Sequence, residues 1–226
     1  MLPERPLLLV CDVEDTLIKI PSSSASAHRR ALAYGLCAVT GLQVALPLGR
    51  DGHTDYTLLC TALAAMAMGD ALSEEVFALV AEGASACYKQ SDCEDWEWCV
   101  LPGVYSTLSV LREHSHIVPC SGAVAGIARA RIERAGLDGP LLVGYGSYAV
   151  YGSTRQELLT AARSRIGSEG MPWPLEKTVV ISSCAENLAA AALTGVRTLA
   201  VACPQALASA SVEMFEQVPH VLVHWL

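Results

Sequence analysis

Asp12, Glu14, Asp15 and Thr16 fall within five consecutive positions, directly after the unbroken apolar run Leu7 to Cys11. Three carboxylates packed this closely repel one another unless a cation or a reaction uses them. Five apolar residues in a row are the mark of a strand buried on both faces of a parallel sheet. In open α/β sheets, ligand chemistry lies outside the carboxyl ends of such strands. The pattern puts Asp12 at the mouth of a site, with Glu14 two residues on and on the same side. The competing account is a polar turn with solvated acids, which leaves their position on the tip of a hydrophobic strand unexplained.

Holding Asp12 there requires a sheet, and the rest of the chain carries the pattern of one. After Thr16 to Ile20, Pro21 and Ser22 to Ser24 make a polar connection. Helical spacing covers Ala25 to Thr40, ended by Gly41, then Asp55 to Met68, and then Glu74 to Tyr88, started by Ser73-Glu74-Glu75. Ser91 to Trp98 is an acidic, aromatic surface loop, with Trp96 and Trp98 expected to pack a domain seam. From Val100 the rhythm changes. Helices are expected at Leu101 to Arg112, Gly126 to Ala135, Gln156 to Ile166, Glu186 to Leu193 and Ser209 to Glu216. Strands are expected between them at Ile117 to Cys120, Leu141 to Val143, Thr178 to Ile181 and Thr198 to Ala202, with His220 to Val223 closing the chain. This alternation predicts an α/β fold, a Rossmann-like doubly wound parallel sheet. Residues 1–20 and 99–226 form the expected core, and residues 21–98 an inserted helical cap over the carboxyl edge.

Of the 226 residues, 52% are apolar and 17% charged, enough for a sizeable core. The net charge of −8, with no basic run, argues against nucleic acid or an anionic membrane as partner and leaves a small-molecule substrate. No apolar stretch reaches membrane-spanning length. The N-terminus enters the first strand without a signal-peptide pattern, so a cytoplasmic location is expected. The nine cysteines, an odd number without a C-x-x-C pair, read as reduced thiols packed as small hydrophobes. Cys11, Cys120 and Cys184 fall at strand ends. Cys11 and Cys120 precede Asp12 and Ser121, so alternation turns them away from what those residues face. The oligomeric state stays open.

Several short segments carry a family resemblance. Asp12-Val13-Glu14-Asp15-Thr16-Leu17 resembles Asp-x-Asp-Gly-Thr-Leu, Gly52-His53-Thr54-Asp55 resembles Gly-Arg-Thr-Asp, and Pro102-Gly103-Val104 is a Pro-Gly-Val return to the core. Ser121-Gly122-Ala123 stands for Thr-Gly-Asn, Arg131-Ile132 for Lys-Leu, and Arg155-Gln156-Glu157-Leu158 for Arg-x-Glu-Leu. Ser182-Ser183-Cys184-Ala185-Glu186-Asn187 occupies the place of Gly-Asp-x-x-x-Asp. In order and spacing these resemble the haloacid dehalogenase (HAD) superfamily with a helical cap after the first strand. Bacterial phosphoglycolate-phosphatase-like members are the nearest in pattern, over nearly the whole length.

The resemblance implies that Asp12 is a nucleophile forming a covalent ester and that Glu14 is the general acid and base. It implies that Ser121 grips the substrate together with a basic residue, Arg131 by alignment or Arg155 by its loop, while Thr16 and Gly122 complete the binding loops. Magnesium would be held by Asp12, Glu14, Ser183, Glu186 and Asn187. His53, Thr54 and Asp55 would select the substrate from the cap, a helix start capped by Thr54 or Asp55 being the other account.

The last motif departs from the family. Ser183 and Asn187 stand where magnesium-binding aspartates belong, and magnesium wants hard oxygens, usually including carboxylates. Without a cation, the Asp12 carboxylate meeting a phosphate dianion costs roughly 8 kcal/mol at about 4 Å and an effective dielectric near 20. That is on the order of a millionfold in rate. The cofactor reading is therefore none, or weakly bound magnesium. The leading functional reading is a repurposed, metal-independent hydrolase acting on a less charged small molecule, since Ser182-Ser183 resembles the Ser-Ser pair of the dehalogenases. A magnesium-dependent phosphatase on a small phosphate monoester and a non-catalytic HAD-fold binding protein are the alternatives.

Overall fold

Leu7–Asp12 forms strand β1, all six residues buried. In this computed structural model residues 7–47, 53–91, 100–168, 170–202 and 208–225 are described; Arg50, Asp51, Gly52, Trp96 and Trp98 lie outside them. Four further strands complete a five-stranded sheet: β2 (Ser115–Cys120), β3 (Thr178–Ser182), β4 (Arg197–Val201) and β5 (Ala210–Val212). The order is β2-β1-β3-β4-β5, with every neighbouring pair parallel. β1 thus lies between β2 and β3, and the register pairs Asp12 with Cys120 and Cys11 with Ile181.

Side-chain alternation along β1 builds two cores. Leu7, Leu9 and Cys11 join the larger one, with α4 (Val104–Leu111), α5 (Ala125–Arg134) and the inserted helices. Leu8 and Val10 join the smaller one, with α6 (Arg155–Ile166) and α7 (Ala185–Ala192). Helices on both faces are what a parallel sheet needs to bury its two apolar surfaces. The expected α/β, doubly wound class is the one found.

Between β1 and β2 lie α1 (Ser22–Thr40), α2 (Asp55–Ala64) and α3 (Glu74–Lys89). α1 and α3 pack closely at Gly35, where an added Cβ would lie 2.5 Å from the Val80 carbonyl oxygen, so only glycine fits. The chain leaving and returning to the core is tied together: Ile18 bridges Val100, and the Leu101 amide donates to the Leu17 carbonyl at 3.0 Å.

The structure corrects several expected elements. Leu141 to Val143 is not a strand; Val143–Tyr145 makes a helical turn, and only a single bridge, Cys120 to Ser147, extends the sheet there. Three apolar residues followed by Gly144 and Gly146 are too few to sustain a ladder. Ser209 to Glu216 is β5 and then a helical turn, while His220 to Val223 belongs to helix α8 (Val218–Leu222). Pro219 in its first turn explains the reversal, because proline suits a helix start and not a strand centre. α2 stops at Ala64, short of Met68, and a turn with Ala67 at a φ of 57° follows.

Candidate active site

Asp12, the last residue of β1, is 6% exposed. Its Oδ2 accepts from the Ser182 hydroxyl at 2.9 Å and the Thr16 hydroxyl at 3.1 Å. Its Oδ1 lies 3.8 Å from Nη1 of Arg155. Burial raises the Asp12 carboxyl to about 6; Glu14 adds to the rise, while Arg155 and the two hydroxyls oppose it. Desolvation thus outweighs the nearby cation, because a carboxylate stripped of water loses more than one contact at this distance restores.

The two serines at the end of β3, Ser182 in the strand and Ser183 just past it, fasten that strand to the loop after β1. Ser182 donates to Asp12 and accepts from the Cys184 amide at 3.0 Å. The Ser183 amide donates to Thr16 Oγ1 at 2.9 Å, and its hydroxyl donates to the Asp15 carbonyl at 2.9 Å. Asp15 occupies a left-handed conformation, φ 56°, which a glycine adopts freely and other residues do not. Asn187 is buried; its Nδ2 reaches Ser182 at 3.4 Å, and its Oδ1 has no hydrogen-bond partner. Glu186 is exposed and accepts from the Cys184 thiol at 3.3 Å, outside the residues lining the cavity above Asp12. Among the described residues, no group of three His, Cys, Asp or Glu could hold a metal ion.

Glu14 turns toward the second strand tip. It accepts from Ser121 at 2.8 and 3.0 Å and from Arg131 Nη1 at 2.8 Å. Arg131, on α5, is 2% exposed. Burial works against its charge, but Glu14 and Tyr88 outweigh that and hold Arg131 above its usual value. The two candidate arginines therefore divide the anions between them, Arg155 beside Asp12 and Arg131 beside Glu14.

Arg155 is placed by its helix start. Thr154 caps α6 through the Glu157 amide, and Glu157 folds back onto Ser153 and Thr154. From the first turn, the Arg155 guanidinium also donates to the His53 carbonyl at 3.2 Å. Gly122 makes this approach possible: a Cβ there would stand 2.5 Å from the His53 oxygen and 2.9 Å from Arg155 Nη2. Its role is to let the helical insert and the arginine come close.

Thr54 caps α2 and also donates to the Ser153 carbonyl at 2.9 Å. Asp55 faces the core. Its amide donates to the Gly122 carbonyl at 2.7 Å, and its Oδ2 accepts from the Val124 amide at 2.7 Å. His53 is exposed and supplies its carbonyl.

Two residues that sequence reasoning passed over complete the arrangement: His28 bridges Arg131 and Asp55, and Tyr88 meets Arg131. The available signal was Ser24 and His28, one helical turn apart on an alanine-rich helix that otherwise buries apolar residues.

A cavity of about 490 Å³ opens over these groups, walled by Ile20, Leu32 and Leu58 opposite the charged floor. Cys11 packs in the core as expected. The alternation argument fails for Cys120, which is in register with Asp12 and so shares its side of the sheet. Burial pushes its thiol up to about 12, so it is not a ready nucleophile.

No protein-family model matches the sequence, and no curated protein matches it either. Solved structures do match in fold. β-Phosphoglucomutase from Clostridium difficile superposes with a TM-score of 0.63 at 13% identity, covering 98% of this chain and 97% of that one. A 2-haloacid dehalogenase from Pseudomonas syringae pv. Tomato gives 0.56 at 18% identity, over 97% and 99% of the two chains. A HAD-hydrolase from Bacillus subtilis, bound to magnesium, gives 0.59 at 14% identity, over 97% and 100%. The chain has the fold of these HAD-type structures over 97–98% of its length.

Proposed function

We propose that the protein is a hydrolase-type enzyme that uses Asp12 as its nucleophile, without a divalent metal, on a small substrate of low negative charge. The observation that carries this is the treatment of the Asp12 carboxylate. Two hydroxyls fix Oδ2, and Oδ1 lies on the side of Arg155. With the carboxyl raised to about 6, roughly nine-tenths is ionised at pH 7.

The donor set does not fit magnesium. One carboxylate remains beside neutral oxygens, the hydroxyls and the unpartnered Asn187 Oδ1, and the Ser182 and Thr16 hydrogens point at Asp12 Oδ2. Charge balance limits the substrate. The cavity is lined by four acids (Asp12, Glu14, Asp15, Asp55) and by four fixed cations (Lys19, Arg29, Arg131, Arg155). Arg131 is committed to Glu14 and Lys19 to Asp15. Arg155, at 3.8 Å from Asp12, offsets about 4 kcal/mol at an effective dielectric near 20. That matches the repulsion from a monoanion; a dianion would also need Arg29, the one lining cation of the four not yet assigned.

In the first step Asp12 Oδ1 attacks the electrophilic centre, and the bond to the leaving group breaks with its electron pair. Water then cleaves the Asp12 ester, regenerating the carboxylate and releasing one proton. Glu14, which lines the same cavity, is the second carboxylate available to receive it.

The test compares 2-chloropropionate with p-nitrophenyl phosphate, with and without EDTA, for the wild type and Asp12→Asn. Turnover of the monoanion that survives EDTA and vanishes in Asp12→Asn is expected. Turnover only of the phosphate, and only with magnesium, overturns the proposal. One observation favours a second reading, a binding protein: both Glu14 oxygens are already engaged by Ser121 and Arg131. Saturable monoanion binding with no turnover of either compound would select it.

A further inference from the structure

We propose that His28 is a positioning residue: its neutral side chain orients Arg131 toward Glu14 and latches the helical insert to the core, and protonation releases that latch. For Glu14 as a working group this rests on the reading above; the latch itself does not.

The hydrogen-bond geometry fixes the proton positions. Arg131 donates through three nitrogens: Nε to the Tyr88 hydroxyl at 3.3 Å, Nη1 to Glu14 at 2.8 Å and Nη2 to His28 Nδ1 at 2.9 Å. A guanidinium has no acceptor, so His28 Nδ1 must offer a lone pair. The other ring nitrogen, Nε2, lies 2.9 Å from Asp55 Oδ2 and must carry the hydrogen. His28 is thereby held as the neutral Nε2–H tautomer. Tyr88, accepting from Arg131, also shares a hydrogen bond with Ser24 Oγ at 2.7 Å.

This chain crosses the seam between insert and core. His28, Asp55, Ser24 and Tyr88 come from α1, α2 and α3, and Arg131 and Glu14 from the core. The insert's own polar residues therefore determine where Arg131 points, and Arg131 is the ion-pair partner of Glu14. A proton on Nδ1 sets two donors and two positive charges face to face, and the Arg131 contact is lost. Every charged group facing His28 enters the balance. Arg131 from α5, Asp55 from α2 and, across Arg131, Glu14 are the charges on its sides, and the Tyr88 ring of α3 meets His28 edge-on at 6.3 Å. Arg29, its neighbour on α1, lines the same cavity.

Two measurements on the full chain test this. In ¹⁵N-histidine spectra at about pH 8, above the range in which imidazoles titrate, the His28 resonances should report a bare Nδ1 and a protonated Nε2. The Val124 and Asp55 amides both bond across the seam, so their hydrogen-exchange protection reads the latch directly. Their protection factors should fall by about tenfold or more when the pH is lowered from about 8 to about 5.5. In His28→Gln, whose amide both accepts and donates but does not titrate, they should stay level over that range. A protonated Nδ1 at pH 8 overturns the proposal, as does a His28 that titrates while both amides keep their protection. The spectra need no variant, so a poorly folding His28→Gln does not remove the test. Neither readout involves turnover, so an inactive protein would sink the hydrolase reading and leave the latch standing.

Discussion

Replacing Asp12 by asparagine should stabilise the protein at neutral pH and leave it unchanged in acid. The carboxyl moves from an ordinary 3.8 to about 6 on folding, chiefly because it is buried. A shift of about two units is worth about 3 kcal/mol. The folded state holds the proton more tightly, so stability falls as pH rises between these values, at about 1.4 kcal/mol per pH unit. Below the lower value both states are protonated and no penalty exists; above the higher one the full penalty is in force. Asparagine keeps the shape and can still accept from Ser182 and Thr16 without carrying the charge. Urea titrations of both proteins from pH 3 to pH 8 give the difference directly, since other titrating groups cancel in it. The variant should gain about 3 kcal/mol across that span, most of it between the two carboxyl values. A difference flat in pH would refute the reasoning, and so would a loss of stability that grows with pH, which would mean Arg155 and the hydroxyls outweigh desolvation.

Two further outcomes follow from the loops. Asp15→Gly relieves a left-handed backbone and gives up only an exposed pair with Lys19, so stability should rise by about 0.5–1 kcal/mol in denaturant titrations. Gly122→Ala forces the His53 carbonyl and Arg155 apart, which should cost about 1–3 kcal/mol and expose the Asp55 amide to faster exchange.

β1 and its terminal acid could be read from the sequence because a strand buried on both faces leaves an uninterrupted apolar run. β5 could not, since it has three residues at the sheet edge and none of them buried. The closing helix was misread because four apolar and aromatic residues carry no period, and Pro219 was the only directional cue. Asp12, Glu14, Ser121 and Ser183 follow strand tips, and their meeting follows from the topology. Which arginine meets which acid depends on the reach of side chains from α5 and α6, and spacing does not encode that. His28 and Tyr88 were illegible for the same reason: they meet Arg131 across a seam between segments about a hundred and about forty residues apart in sequence.

The central claim is that Asp12 keeps its place while its charge is managed by hydroxyls and Arg155 instead of a cation. Calorimetric titration of the protein with magnesium at neutral pH tests it most directly. The account predicts no saturable heat at millimolar magnesium in the wild type, and a saturable site once Ser183→Asp and Asn187→Asp are combined. A wild-type site that saturates in this range and is lost in Asp12→Asn would contradict it.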